Sequence, residues 1–471
     1  MIGGGAIFLD SNNDRMEITD CSFTDVSAAD NGGVLYLNQN NDDVAISGSG
    51  FTDVDAGLAG GVMFLNLENL FFTLSDCTFK DTTALTWGGV LYLYQMNSDM
   101  RVSDCFFDGT AAADGGALDI DQQNDDIILS NCVFINTYSG AYGGVLYLQY
   151  DNANMAMWGC HFLNTSAGLA GGSVYSNQDN HDMTIVDCFF WNTSAGYVGG
   201  ALYLDDDNDN MRVTRCVFEG THAGTVGGSI YLDRNIDGLT LSNCTFTNTY
   251  AGTNGGAIFL YQDNDNMMVS GCNFSHTSAG VDGGSVYLYQ NNWYPSFIDC
   301  SFSDTSCGND GGAIELYVAS LDALIVNCSF SDTSSKVAGG CVHAYVNNNG
   351  LRIFSSSFLR GDADDGGAVN LGNDNSDVLL QDNFFYENFA RNRGGAVLAE
   401  SGNVNLKFVR CVFERNVALW SGGACSALDS NSGLTLDTCT LQQNLASIGG
   451  SINAATFIYT CGSNVNVSFS L

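Results

Sequence analysis

Cysteine and the ring-bearing residues are the side chains whose spacing in this sequence could carry chemistry. Cys77, Cys105, Cys132, Cys160, Cys188, Cys216, Cys244, Cys272, Cys300 and Cys328 recur every 27 or 28 residues; Cys21 precedes them and Cys411 and Cys439 resume the series. Ser49, Ser356 and Asn383 fill its gaps, while Cys307, Cys341, Cys425 and Cys461 lie off it. No Cys-x-x-Cys occurs and His161, His181, His222, His276 and His343 are scattered, so this is not a zinc motif. Stacked one repeat apart, such residues would have Cα atoms about 4.8 Å from one another. That lies within disulfide range, but in-register Cβ atoms stay near the same value, above the usual ~3.5–4.5 Å. The expectation is a stack of small, buried, mostly unbridged thiols.

A second series is aromatic: Tyr36, Phe64, Tyr92, Tyr147, Tyr175, Tyr203, Tyr231, Phe259 and Tyr287, interrupted at Asp119 and lost after Glu315 and His343. All these rings but Tyr175, which Ser176 follows, stand between two aliphatic residues, so alternation directs them outward and predicts an exposed stripe. Such a stripe fits a lateral contact with protein or glycan; the alternative is that β-propensity alone favours tyrosine on a sheet face. The Asn/Asp-rich stretches, such as Asp205 to Asn210, offer hard oxygen ligands, which makes Asp205, Asp207 and Asp209 the candidates for Ca²⁺. They lack the glycine-anchored register of an EF-hand loop, and no other cofactor is expected. Asn164, Asn192, Asn243, Asn273, Asn327 and Asn466 begin Asn-x-Ser/Thr sequons, candidate N-glycan sites in a secreted eukaryotic chain.

The elements that must position these residues follow from one repeated phrase: Gly-Gly, a small residue, an aliphatic, an aromatic, a leucine. The second glycine falls at Gly5, Gly33, Gly61, Gly89, Gly116 and onward to Gly450, in steps of 28 with 27 at three places. A fixed period of this length marks an array of identical supersecondary units. In the repeat Gly199–Val226, Ala201–Leu204 reads as one strand, Met211–Thr214 as a second and Cys216–Phe218 as the start of a third, with turns at Asp205–Asn210 and Gly220–Gly224. Three short strands per repeat with no helical period predict an all-β, right-handed, single-stranded parallel β-helix of about 17 coils. At about 4.8 Å per coil the rod would be roughly 80 Å long. Phenylalanines from Phe23 to Phe330 and aliphatics from Leu35 to Val342 face inward. Thr82, Thr110, Thr137 and their successors are expected to satisfy backbone groups at a bend.

The paired signals Phe-x-x-Asn/Thr and Gly-Gly-Ala/Val-aliphatic resemble the repeats of the polymorphic outer-membrane proteins, within the pectin-lyase-like β-helix class. The resemblance is closest at Phe385-Tyr386-Glu387-Asn388 with Gly394-Gly395-Ala396-Val397, and at Phe413-Glu414-Arg415-Asn416 with Gly422-Gly423-Ala424. Earlier coils mostly have Thr for that Asn, and the family's C-terminal membrane barrel is missing. The resemblance implies an extracellular or cell-surface, adhesin-type role.

Composition bounds the rest. Fourteen basic against 52 acidic residues give a formal charge of −38, which disfavours nucleic acid and anionic membranes. No stretch approaches the about 20 apolar residues of a membrane span. Met1-Ile2 runs straight into the glycine phrase and neither end carries a polar cap, as expected of a piece of a longer chain or of a subunit that stacks end to end. Residues 1–350 read as a regular acidic part, 351–450 as a variant part where Arg352, Arg360, Arg391, Arg393, Lys407, Arg410 and Arg415 collect, and 451–471 as a last partial coil.

A polysaccharide-active β-helix would need a groove walled by long loops, with paired carboxylates or an Arg/Lys base inside it. The period never lengthens, and residues 102–211 hold no basic residue. The expectation is therefore no catalytic residue and no enzyme: an extracellular structural or adhesive rod, a filament or surface-coat component that assembles through its aromatic stripe and charge-asymmetric ends or binds other extracellular proteins and glycans, with the 351–415 arginines contacting acidic turns or a different subunit. The alternatives are a polysaccharide-binding or polysaccharide-cleaving β-helix and an ice- or mineral-binding rod with a flat threonine face.

Overall fold

The structure is a computed structural model that describes residues 4–428, 430–454 and 467–468. The chain divides into two units, Met1–Leu239 and Thr240–Leu471, and each is a right-handed parallel β-helix. In the first unit the coil beginning at Gly199 carries strands Leu202–Leu204, Arg212–Thr214 and Val217–Glu219. These are the three expected strands. A two-residue stretch, His222–Ala223, adds a fourth within the segment read as a turn. Strands pair in parallel with their copies one coil away: Val174 with Leu202, Ile185 with Val213, Phe190 with Phe218 and Ala195 with Ala223. The second unit repeats the pattern, with Ile258 beside Val286 and Phe274 beside Phe302.

Register turns sequence columns into physical stacks. In the first unit successive rings from Phe51 to Phe218 lie 4.5 to 5.3 Å apart and within 17° of parallel. From Phe246 to Phe413 in the second they lie 4.7 to 4.8 Å apart. The aliphatic column is equally buried, as is a second one that runs through Met155, Met183 and Met211. None of the described cysteines forms a disulfide, and the column from Cys77 onward is buried. Its thiols donate to backbone carbonyls, as Cys105 does to Ser103 at 3.2 Å. Ser49 and Ser356 take the same place and the same carbonyl, at 3.0 and 2.9 Å.

Three features depart from what the sequence predicts. The threonine column is buried, but half of its hydroxyls have no partner, and those that bond do so most often to a serine eight residues on: Thr165 to Ser173, Thr221 to Ser229 and Thr277 to Ser285, at 2.6 to 2.8 Å. Where that neighbour is Val or Ala, as for Thr82, Thr137 and Thr193, the hydroxyl has no partner; only Thr305 reaches a backbone carbonyl, that of Gly312. One asparagine of each Asn/Asp stretch turns inward. Asn41, Asn69, Asn97, Asn124, Asn152, Asn180 and Asn208 are buried, each Oδ1 accepting the backbone N–H of the asparagine one coil before it. Finally, many other Asp and Asn residues sit at left-handed corners, as at Asp179, Asp182, Asp187 and Asn192 (φ 53 to 60°). Their short polar side chains tolerate that conformation at least cost.

The arginines of residues 351–415 reach back one coil. Arg360 clasps Asp332 and Arg410 clasps Asp382 through two hydrogen bonds each, at 2.6 and 2.7 Å. Arg391 meets Asp362 at 3.0 Å and Arg393 meets Asp365 at 3.2 Å.

The glycine pair has two separate causes. Gly60 takes φ +60°, and a Cβ on Gly61 would run into the carbonyl oxygen of Gly89 in the next coil. Gly50, in strand Gly50–Thr52, has open space where its Cβ would be. Gly61→Ala should therefore destabilise the fold by at least about 2 kcal/mol, the scale of overpacking, while Gly50→Ala should leave the denaturation midpoint unchanged or raise it. Equal midpoints for the two variants would refute this account of the phrase.

Candidate functional site: an aromatic groove on the first strand of each coil

Tyr36, Phe64, Tyr92, Tyr147, Tyr175, Tyr203, Tyr231, Phe259 and Tyr287 do lie on the outward side of their strands, but they are not an exposed stripe. Their exposures run from 2 to 9%, which corrects the expectation. The rings cover one another along the column: Tyr36 on Phe64 at 4.8 Å, Tyr175 on Tyr203 at 4.6 Å, Tyr203 on Tyr231 at 4.9 Å and Phe259 on Tyr287 at 5.1 Å. Side chains before the glycine pair lean over them, as Trp87 does over Tyr92 at 5.8 Å.

In the first unit the rings thus become the floor of a groove. One cavity of about 550 Å³ is bounded by Tyr36, Phe64 and Tyr92 below, Leu58 and Trp87 on one side, and Asn66, Tyr94, Asp121 and Gln149 on the other. A second, of about 540 Å³, lies over Tyr175 and Tyr203 between Leu169, Tyr197 and Val198 and the pair Asp205 and Asp233. No insertion builds these walls. They come from the turn before each glycine pair and from the residue two places beyond each ring.

Carboxyl groups are set into this surface. Asp119 occupies the ring position between Tyr92 and Tyr147 and is fully buried. Its Oδ1 accepts from Gln149 Nε2 at 2.9 Å, and its Oδ2 has no partner. Burial pushes its carboxyl well above the usual range, Gln149 only partly offsetting it. Asp121 accepts the Tyr92 hydroxyl at 2.9 Å and is also raised by burial. Asp233, raised to about 6 by burial and then by Asp205, accepts the Tyr203 hydroxyl at 3.2 Å.

The Ca²⁺ candidates are drawn into other work. Asp205 accepts the Tyr175 hydroxyl at 2.9 Å, Asp209 accepts the Asp237 amide at 2.8 Å, and Asp207 forms a left-handed corner. Among the described residues no three His, Cys, Asp or Glu side chains converge to hold a metal ion. Of the sequon asparagines, Asn164 and Asn192 lie at exposed corners, joined Asn192 Nδ2 to Asn164 Oδ1 at 2.9 Å. Asn327 donates to Asp299 at 2.5 Å, Asn273 accepts from Ser301 at 2.6 Å, and Asn243 is a left-handed corner. Asn466 lies outside the described residues.

In the second unit the ring column gives way to a pair that sequence reading left unpaired. His343 Nδ1 lies 2.9 Å from Glu315 Oε2, both buried, and their strands place them side by side. A separation of one period was the available signal. Beside them stands a tyrosine column also missed, two residues beyond the ring position: Tyr261, Tyr289, Tyr317 and Tyr345, stacked at 5.0 to 5.4 Å.

Burial raises Glu315 to about 7, which His343 only partly opposes. Burial alone would lower His343, but the Glu315 carboxylate outweighs it and holds the imidazole up at about 9. Both groups bind protons more tightly folded than unfolded, so their stabilisation is complete below the unfolded carboxyl value and is lost as pH rises through 7 and then 9. The urea midpoint should fall between about pH 5 and 9, and the double variant Glu315→Gln/His343→Gln should flatten that slope. A slope of the opposite sign would refute the assignment.

Residues 256–444 match the model of the right-handed beta helix region family. No curated protein matches the chain. Among solved structures, a mannuronic acid specific polysaccharide family 6 lyase from human gut microbiota is similar at 11% identity and TM-score 0.39, covering 92% of this chain and 88% of its own. A periplasmic alginate epimerase follows at 9% and 0.30, covering 88% and 76%. The A-module of an Azotobacter vinelandii mannuronan C-5 epimerase stands at 16% and 0.23, covering 80% and 91%. All three are enzymes, so the expectation that the chain is not one is withdrawn: the fold gives it no support. The groove supplies the physical reason, since walls do not require a lengthened coil. At these identities and TM-scores the likeness speaks for the fold alone and carries no activity across. No helix among the described residues is long and apolar enough to cross a membrane. In its winding this chain is a right-handed parallel β-helix, the fold that the family match over residues 256–444 describes.

Proposed function

We propose that the protein recognises a polysaccharide along the groove of its first unit. The observation that carries this reading is the groove's make-up: a floor of stacked rings, broken at Asp119, between an apolar wall and a rim of carboxylates, amides and a tyrosine. Ring faces pack on the C–H faces of sugars, and a few placed polar groups orient the hydroxyls. The carboxylate rim selects against polyuronates through like-charge repulsion and favours neutral or cationic glycans. The location that goes with this reading is extracellular or periplasmic. An ice- or mineral-binding rod loses support because the threonine column is interior.

Calorimetric titration with soluble neutral and anionic polysaccharides tests the proposal. Neutral polymer should bind. Trp87→Ala and Tyr94→Ala should each weaken binding about tenfold, about 1.4 kcal/mol. Trp158→Ala, exposed on another strand, should change nothing. Absence of binding, or equal loss in all three variants, would exclude the groove.

One observation favours a cleaving reaction in the same groove: Asp119 and Asp121 lie two apart on one strand, and burial holds both toward the protonated form. A carboxyl raised above its usual range is the starting requirement of a general acid. In this reading Asp121, on the groove wall, donates to the glycosidic oxygen, and Asp119 beneath it is a positioning residue. Reducing-end release from bound polysaccharide should drop at least about 100-fold in Asp121→Asn. In Asp119→Asn the acidic limb of the pH profile should shift while binding is kept. If wild type binds and releases nothing, the groove binds without cleaving.

A further inference from the structure

We infer that the cavity over Tyr36, Phe64 and Tyr92 is a subsite for a positively charged amino group, so that the preferred polysaccharide carries protonated or quaternary amines on its sugar units. The inference rests on the polysaccharide reading above and narrows its substrate class. At Tyr92 the rings form a cage rather than a plain floor. Trp87 leans over Tyr92 with ring centres 5.8 Å apart, and Tyr94 flanks the same ring at 6.4 Å. An aromatic face attracts a cation through its quadrupole, tryptophan most strongly, and several faces around one volume recognise substituted ammonium groups.

The charges of the cavity point the same way. Among the described residues that line its 550 Å³ or so, the charged side chains are Asp30 and Asp121, with no Lys, Arg or His. Asp121 accepts the Tyr92 hydroxyl through Oδ2 at 2.9 Å, and no side chain among the described residues donates to its Oδ1. At the end of the floor, the fully buried Asp119 leaves Oδ2 without a partner. The second cavity shows such a rim holding a cation. There the Arg234 guanidinium lies among the lining residues, with Nη2 3.2 Å from Asp206 Oδ2 and Nε 3.9 Å from Asp233 Oδ1. In its strand, Ile230–Arg234, the arginine directly follows the rim carboxylate. Strand Leu118–Gln122 has the same order around Asp121, but with Gln122 in the place of Arg234. The first cavity therefore has the rings and the carboxylates without a cation of its own, and the ligand supplies it.

Calorimetric titration of the full chain with two glucosamine hexamers, one N-acetylated and one N-trimethylated, separates the charge from the sugar. The trimethylated hexamer should bind at least about tenfold more tightly. Asp121→Asn should remove most of that preference. Gln122→Arg, which gives the first cavity the internal cation of the second, should abolish it while affinity for the N-acetylated hexamer stays within about twofold. Arginine at this strand position is already accommodated at Arg234, and far-UV circular dichroism checks that each variant keeps its fold. Equal affinities of wild type for the two hexamers would overturn the inference and leave the polysaccharide reading standing, whereas binding of neither would sink both. A preference that survives Gln122→Arg would trace to the overall charge of −38 rather than to the cavity, and would also overturn the inference.

Discussion

Every part of this protein answers to the requirement that a side chain share its surroundings with its own copies about 4.8 Å above and below. Residues that gain from identical neighbours prosper under that rule. Phenylalanine stacks face on face, and asparagine offers both donor and acceptor, so its amide ladder satisfies buried groups indefinitely. Cysteine fills a narrow column while its thiol finds a carbonyl. Charges gain nothing in such a stack, and the columns of the interior carry none.

The same winding accounts for the acidity. A coil this short must turn sharply several times, and each turn places a residue in the left-handed region, where aspartate and asparagine cost least. Much of the charge of −38 is therefore a product of corner chemistry rather than a statement about partners. Most arginines of the later coils fit this picture, as Arg360 and Arg410 do in clasping a carboxylate one coil back. A basic cluster legible as an assembly surface is, in the fold, a set of intramolecular clamps.

The outer face shows how uniform repeats can still make a site. Where the ring column is unbroken the groove has a hydrophobic floor. Where Asp119 or the Glu315–His343 pair replaces a ring, a buried titratable group appears in the same setting. Function in such an array is written as exceptions to a column, and the exceptions lie one period apart.

Period, strand pattern and inward columns were determined by the sequence alone, because strict spacing leaves in-register parallel stacking as the one arrangement that buries like with like. Asp119, Glu315 and His343 were visible as breaks in the ring series for the same reason. Whether an outward residue is exposed was decided only by the tertiary structure. Alternation along a strand tells which side a ring leaves from, but not what folds over it. Trp87 and Tyr197 come from turns whose path no periodicity describes. The depth of the groove, the covering of the nine rings and the pairing of His343 with Glu315 all depend on that path.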